Sequence, residues 1–183
     1  MKKIFIGMLF VFLNLPINIG SFRINLIPDF IGYIFIAIGT KELDEYSRRF
    51  LKVMPYSICM LIYTAVFYIV DLFEIFITLG IPVWVALVLD IISKIASILI
   101  YRGIILGIKD IEVAQEQDLN SKKLYGTLRL YAILSLLIYI LYLFPGMETS
   151  GAIVYFAVGI YLLVLFNKSK KQFYAWTAHK RAE

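Results

Sequence analysis

Four ionisable side chains lie within long apolar stretches in the middle of the chain: Asp71, Glu74, Asp90 and Lys94. Charged groups at membrane depth are costly, so they pair with one another or mark functional sites. Asp90 and Lys94 are four residues apart and therefore share one face of a helix. Ser93 and Ser97 continue that face. These residues predict a polar site inside an apolar helical bundle.

The sequence also suggests which helix faces this one. A short connection at Gly80 and Ile81 leaves Asp71 and Asp90 each about nine residues from the turn, roughly 13 Å at 1.5 Å per residue. We therefore expect the polar site between spans 3 and 4. Three carboxylates there face one ammonium, which leaves two interpretations. The charges form a buried network that locks the helices, or they line a water-accessible site for a proton, an ion or a headgroup.

A second polar group interrupts the first apolar stretch of the chain: Asn14, Asn18, Arg23, Asn25 and Asp29. Asn25 and Asp29 are four residues apart, which predicts that they share one face of a helix. An Arg23–Asp29 pair at the outer mouth would suit a zwitterionic or anionic group. The alternative is structural, with the asparagines capping broken helices and bonding across the bundle.

Several classes of chemistry are disfavoured by composition. The chain has one histidine, His179 near the C-terminus, and one cysteine, Cys59 in an apolar run. The motifs of zinc proteases, serine hydrolases, nucleotide-binding loops and CxxC redox sites do not occur. A two-carboxylate mechanism using Asp71 and Asp90 is the least favoured reading. We therefore predict a protein that is not an enzyme and that needs no cofactor or metal.

The composition indicates an integral membrane protein. Hydrophobic residues make up 61% of the chain and charged residues 17%, against about 45–50% and about 25% in soluble domains. The predicted fold is an all-α bundle of six transmembrane helices. The spans are 4–19, 25–40, 55–79, 82–102, 126–144 and 151–166. The first two contain 16 residues each, fewer than the roughly 20 that a bilayer core requires, so this hairpin is either short or partly re-entrant.

Charge asymmetry predicts the orientation. In the six-span reading, sixteen of the eighteen Lys and Arg residues fall on one side, Arg23 falls on the other and Lys94 lies within a span. An excess of Lys and Arg marks the cytoplasmic face, so both termini should be cytoplasmic. We expect the N-terminal apolar segment to be a retained span and not a cleaved signal peptide. The predicted organisation is a transmembrane domain, 1–167, followed by a basic aromatic tail, 168–183. An abundance of Ile and Lys suggests a bacterial plasma membrane.

Two further patterns indicate helix packing. Gly103 and Gly107 form a GxxxG pair that permits close helix approach. A stripe along span 5 faces two residues of span 6; its members are Tyr131, Ser135, Tyr139 and Tyr142, opposite Tyr155 and Gly159.

Two functions fit these features. The first is a transporter-like, channel-like or lipid-handling protein that uses the polar site. The second is an accessory or sensor subunit that docks a partner through its cytoplasmic segments, 41–52, 103–125 and 168–183. The expected partners are membrane lipids, a second copy of the chain or another membrane protein, and not nucleic acid.

Overall fold

The computed structural model describes residues 1–12, 16–19, 22–25, 28–73, 75–78, 80, 82–141 and 148–182. The elements in chain order are α1 (Lys2–Phe12), β1 (Pro16–Ile19), β2 (Phe22–Asn25), α2 (Asp29–Glu42), α3 (Arg48–Leu72), α4 (Ile75–Thr78), α5 (Val83–Ala114), α6 (Ser121–Leu141) and α7 (Glu148–Ala182). The α-helical prediction is confirmed, with one short pair of strands added.

Among the described residues, four helices are long and apolar enough to cross a membrane: α3, α5, α6 and α7. Their outward faces carry large apolar side chains. On α3, Ile58, Ile62, Val66 and Ile69 recur at helical spacing and are 39–57% exposed. Contiguous apolar surface of this kind is rare on soluble monomers and is what a lipid environment requires. The chain is a multi-pass membrane protein.

The helices form a closed ring. Neighbours in contact follow the order α1, α2, α3, α5, α6 and α7, and α7 packs back against α1. One end of this ring carries most of the charged side chains, and we call it the charged end. Because the ring closes, it has an interior, and the polar side chains on inward faces meet there.

The first apolar stretch is where the structure departs most from six regular spans. Helix α1 has 11 residues and α2 has 14, about 16 and 21 Å at 1.5 Å per residue, so each is shorter than a bilayer core of about 30 Å. Strands β1 and β2 pair antiparallel beyond them, with Asn18 opposite Arg23 and Pro16 opposite Asn25. The prediction that Asn25 and Asp29 share a helix face was wrong, because Asn25 lies in β2 and Pro28 is the N-cap of α2.

The ends of α3 also differ from prediction. It begins at Arg48, where the Ser47 side chain accepts a hydrogen bond from the Arg49 backbone N–H at 3.2 Å. Pro55, expected to open this helix, lies inside it. Ser47 lies two turns before Pro55, and its side chain caps the first turn of α3, where backbone N–H groups have no partner within the helix. The helix therefore starts there. Helix α5 begins directly after Pro82, as predicted.

Helices α5 and α7 continue well beyond the length of a span. They contain 32 and 35 residues, about 48 and 52 Å at 1.5 Å per residue. The segment 103–114 is therefore part of α5. Most of the predicted tail is likewise a continuation of α7, which ends at Ala182.

Polar contacts join several elements at the charged end. Asp110 of α5 accepts hydrogen bonds from the Ser47 hydroxyl at 2.8 Å and from Arg49 Nε at 2.7 Å. Lys3 pairs with Glu42, which joins the start of α1 to the end of α2. Asp110 thus fixes the start of α3 against the extension of α5.

Glycines allow the closest helix contacts. A Cβ atom on Gly32 of α2 would lie 2.6 Å from Val11 Cγ2 and 2.7 Å from the Gly7 carbonyl oxygen of α1. Gly103 likewise packs on Val53 of α3, where a Cβ would lie 2.4 Å from Val53 Cγ2. The close helix approach predicted for the GxxxG pair is confirmed at Gly103.

Replacing Gly32 by alanine should destabilise the fold. The added methyl meets the Gly7 backbone and not only a flexible side chain, so α1 and α2 must separate, at a cost of about 1–3 kcal/mol. Unfolding in detergent, followed by circular dichroism, measures the change. Gly126→Ala in α6 is the matched control because nothing lies within 4 Å of its added Cβ. Equal stability of the two variants would contradict the packing described.

Candidate functional site: a polar cavity inside the helix ring

A cavity of about 260 Å³ lies inside the ring, and each of the six longer helices contributes to its wall. The lining residues are Val11, Phe12, Asp29, Tyr33, Met60, Thr64, Asp90, Ser93, Lys94, Ser97, Tyr101, Tyr131, Tyr155, Phe156 and Gly159. Most of these side chains carry a polar group. A polar cavity of this size inside apolar helices provides a place where charged groups escape contact with lipid.

Two carboxylates and one ammonium face this cavity. Asp29 begins α2, while Asp90 and Lys94 lie one turn apart on α5. The Lys94 ammonium lies over the Tyr155 ring, 5.4 Å from its centroid, and interacts electrostatically with Asp90 and Asp29. Asp90 Oδ2 accepts a hydrogen bond of 2.5 Å from the Tyr139 hydroxyl of α6. The cavity therefore offers both an acidic and a basic group to one ligand.

Hydroxyl groups extend this polar surface. The Tyr33 hydroxyl and Ser97 Oγ are 2.6 Å apart, which joins α2 to α5. The hydroxyls of Tyr131 and Tyr155 are also in contact, and their rings stack with centroids 4.7 Å apart. Hydroxyls both donate and accept hydrogen bonds, so these walls can bind either sign of charge.

Aromatic and aliphatic packing closes the cavity on the side of the charged end. The Phe12 ring lies 5.4 Å from that of Tyr101 and 5.0 Å from that of Tyr131, between centroids. Beyond this layer, the ring interior is filled by fully buried apolar side chains, including Met8, Ile36, Ile104, Ile108, Leu162 and Phe166. In contrast, Asp90 on the wall is exposed. The cavity is thus closed toward the charged end and open near Asp90.

The structure brings five of the predicted residues together. Asp90, Ser93, Lys94 and Ser97 come from the predicted site in α5, and Asp29 comes from the predicted site in the first hairpin. The sequence suggested two separate polar sites. The ring joins parts of both, because the first turn of α2 lies opposite the inward face of α5.

Asp71 is not among the residues that line the cavity. Two contacts give the antiparallel register of α3 and α5. The Tyr63 hydroxyl of α3 donates a hydrogen bond of 2.9 Å to the Leu89 carbonyl oxygen of α5, and Val53 of α3 packs against Gly103 of α5. Asp71 then lies opposite the first turn of α5, roughly 7–10 Å along the axis from the level of Asp90. The expected match of levels was wrong because α3 ends at Leu72 and α4 intervenes before α5.

The remaining predicted residues lie elsewhere. Asn18 belongs to β1, and Arg23 and Asn25 belong to β2. Asn14 and Glu74 lie outside the described residues. The hypothesis of an Arg23–Asp29 pair at the outer mouth stays a prediction.

Sequence reasoning missed one tyrosine of the cavity wall. Tyr33 follows Asp29 by four residues, so helical spacing could have placed both on one face. Tyr101 lies one turn beyond Ser97 on α5, where helical spacing alone places it on the face of Asp90 and Ser97. Nothing local in the sequence showed that Phe12 would pack between Tyr101 and Tyr131, since those contacts come from three different helices.

Comparison of the chain with protein-family models, with curated proteins and with solved structures found no match. Among the described residues, no three His, Cys, Asp or Glu side chains are grouped so that they could hold a metal ion.

Removing the Tyr139 hydroxyl should weaken the contact between α5 and α6. Tyr139→Phe deletes the donor to Asp90, and a net loss of about 1 kcal/mol of unfolding free energy is expected for a hydrogen bond to a charged group that is itself exposed. Chemical unfolding in micelles measures it. Tyr161→Phe, on the outer face of α7 and 55% exposed, is the control. A similar loss in both variants would argue against the Tyr139–Asp90 bond.

Proposed function

We propose that this protein binds a small polar solute or the headgroup of an amphiphile in the central cavity and carries it across or within the membrane. The observation that supports this most directly is the convergence of Asp29, Asp90 and Lys94 on one cavity inside a ring of apolar helices. If these charges served only to hold the helices together, direct ion pairs with no enclosed volume between them would stabilise the fold most. Here they face open volume, and Asp90 is exposed.

The proposed chemistry is recognition of both charge signs. A carboxylate is suited to an ammonium or another cation, and Lys94 to a carboxylate or phosphate. With two carboxylates to one ammonium, the cavity favours a cationic group first. An amphiphile would keep its apolar part among the lipids while its headgroup entered near Asp90.

The proposed membrane arrangement places the charged end in the cytoplasm. The contacts of Lys3 with Glu42 and of Arg49 with Asp110 gather segments near the N-terminus and in α2, α3 and α5 at that end, and the positive-inside bias favours the cytoplasmic side. In this arrangement α1 and α2 enter from the cytoplasm and β1 and β2 lie toward the outer surface. A two-stranded sheet leaves backbone groups unpaired, which must be covered by protein or water. A bacterial plasma membrane remains the proposed location.

An accessory role is the second candidate. The observation that favours it is the projection of α5 and α7 beyond the length of a span at the charged end. There the Tyr46 ring packs against Phe173 at 5.3 Å and Trp176 at 6.4 Å, between centroids. This rigid platform, with Val113 70% exposed, would be the surface presented to a partner subunit.

Water should reach the cavity from the outer side. In a Cys59→Ala background, Ser93→Cys is expected to react with a charged, membrane-impermeant thiol reagent added to intact cells, because thiolates form and react in water. Ile92→Cys is the control: the adjacent residue is 53% exposed on the outer face of the ring, where lipid excludes the reagent. Labelling at neither position from either side of the membrane would favour a dry ion lock.

Substitution of Asp90 should release a bound ligand. Native mass spectrometry of the protein, extracted gently from its own host, is expected to show a defined small-molecule or lipid adduct. Asp90→Asn should lose that adduct because the carboxylate that attracts its cationic group is gone. Glu45→Gln, an exposed carboxylate in the connection between α2 and α3, should retain it.

Two outcomes of this experiment would contradict the proposal. Retention of the same adduct by Asp90→Asn would place the ligand elsewhere. A stoichiometric second polypeptide without any small molecule would favour the accessory role.

A further inference from the structure

A second cavity, on the outer surface of the ring, is distinct from the central one. It is a groove of about 320 Å³ between α3 and α5, close to the charged end. Its lining residues are Arg49, Lys52, Val53, Tyr56, Leu99, Ile100, Arg102, Gly103 and Leu106. We call it the α3–α5 groove.

Three cations stand along the α3–α5 groove. Arg49 and Lys52 lie in the first two turns of α3, and Arg102 lies on α5 next to Gly103, which packs against Val53. Lys52 and Arg102 are therefore at nearly the same level, and both are exposed. Arg49 donates from Nε to Asp110 at 2.7 Å, which orients its guanidinium. The lining contains no acidic residue, so it carries a net positive charge.

The rest of the groove is apolar and faces outward. Leu99, one turn before Gly103 and thus deeper in the span, is 57% exposed, and Tyr56 is 66% exposed. The α3–α5 groove therefore has a basic rim toward the charged end and an apolar wall that continues toward the middle of the two helices. Basic pockets of this form between transmembrane helices suit anionic lipid headgroups.

We propose that the α3–α5 groove binds an anionic phospholipid of the cytoplasmic leaflet. The phosphodiester would lie between Lys52 and Arg102, with Arg49 beside it, and one acyl chain would run along Leu99 and Tyr56. A lipid fits better than a free phosphate because only a ligand with an acyl chain can contact the apolar wall as well as the cations. This site is separate from the central cavity, and it does not depend on transport.

The test uses the full-length protein in a neutral detergent. Native mass spectrometry counts bound dioleoylphosphatidylglycerol, with dioleoylphosphatidylcholine as the neutral comparison. The Lys52→Gln/Arg102→Gln variant should lose affinity for the anionic lipid by about 25-fold, about fivefold for each cation removed. Phosphatidylcholine binding should not change. Both side chains are exposed, so the fold should persist, and circular dichroism verifies that.

The matched control removes the same charge elsewhere. Lys122→Gln/Lys123→Gln alters two exposed lysines in the first turn of α6, outside the groove lining. This control should retain wild-type affinity for phosphatidylglycerol, and millimolar inorganic phosphate should not displace the lipid from the wild type.

Three results would overturn the proposal. Unchanged affinity in the Lys52/Arg102 variant would show that the groove is not the site. An equal loss in the Lys122/Lys123 control would indicate diffuse attraction to a basic surface. Displacement by inorganic phosphate would identify a free-anion site.

Discussion

The structure depends on one constraint: polar groups at membrane depth must be satisfied by the protein, because lipid offers no hydrogen-bonding partners. The ring of six helices meets this constraint by turning apolar faces outward and polar faces inward. Asp29 consequently meets Asp90 and Lys94 in one cavity, although it lies far from both in sequence. The same constraint explains the hydroxyl contacts that join the helices there, such as Tyr33 with Ser97.

The ring interior is filled toward the charged end and encloses the cavity farther along the helices. Glycines bring α1 against α2, and α5 against α3, until backbone and side chains touch. Large aliphatic residues then fill the ring interior below Phe12 and Tyr101. Beyond that layer, serine, threonine and tyrosine replace leucine and isoleucine, so the helices enclose space. The cavity is therefore closed on the side of the charged end.

The two cavities differ in the charge and polarity of the side chains that line them. The central one combines both charge signs with hydroxyl groups and a smaller apolar part. The α3–α5 groove combines three cationic side chains with an exposed apolar wall, and we propose an anionic lipid as its ligand. A lipid at this groove would contact α3 and α5 just below the layer that closes the central cavity.

The fold class and one wall of the cavity could be predicted from the sequence alone. Hydropathy sufficed to predict a helical membrane protein, and the cost of placing Asp90 and Lys94 within apolar stretches marked one wall of the cavity, because both are local properties. Tertiary structure decided the rest. The break of α3 at Leu72 moved Asp71 away from the level of Asp90, and the strands β1 and β2 separated Asn25 from the helix that begins at Asp29. Only ring closure brought Asp29 and Tyr155 to Lys94, since contacts between helices distant in sequence depend on register and packing, which no local pattern contains.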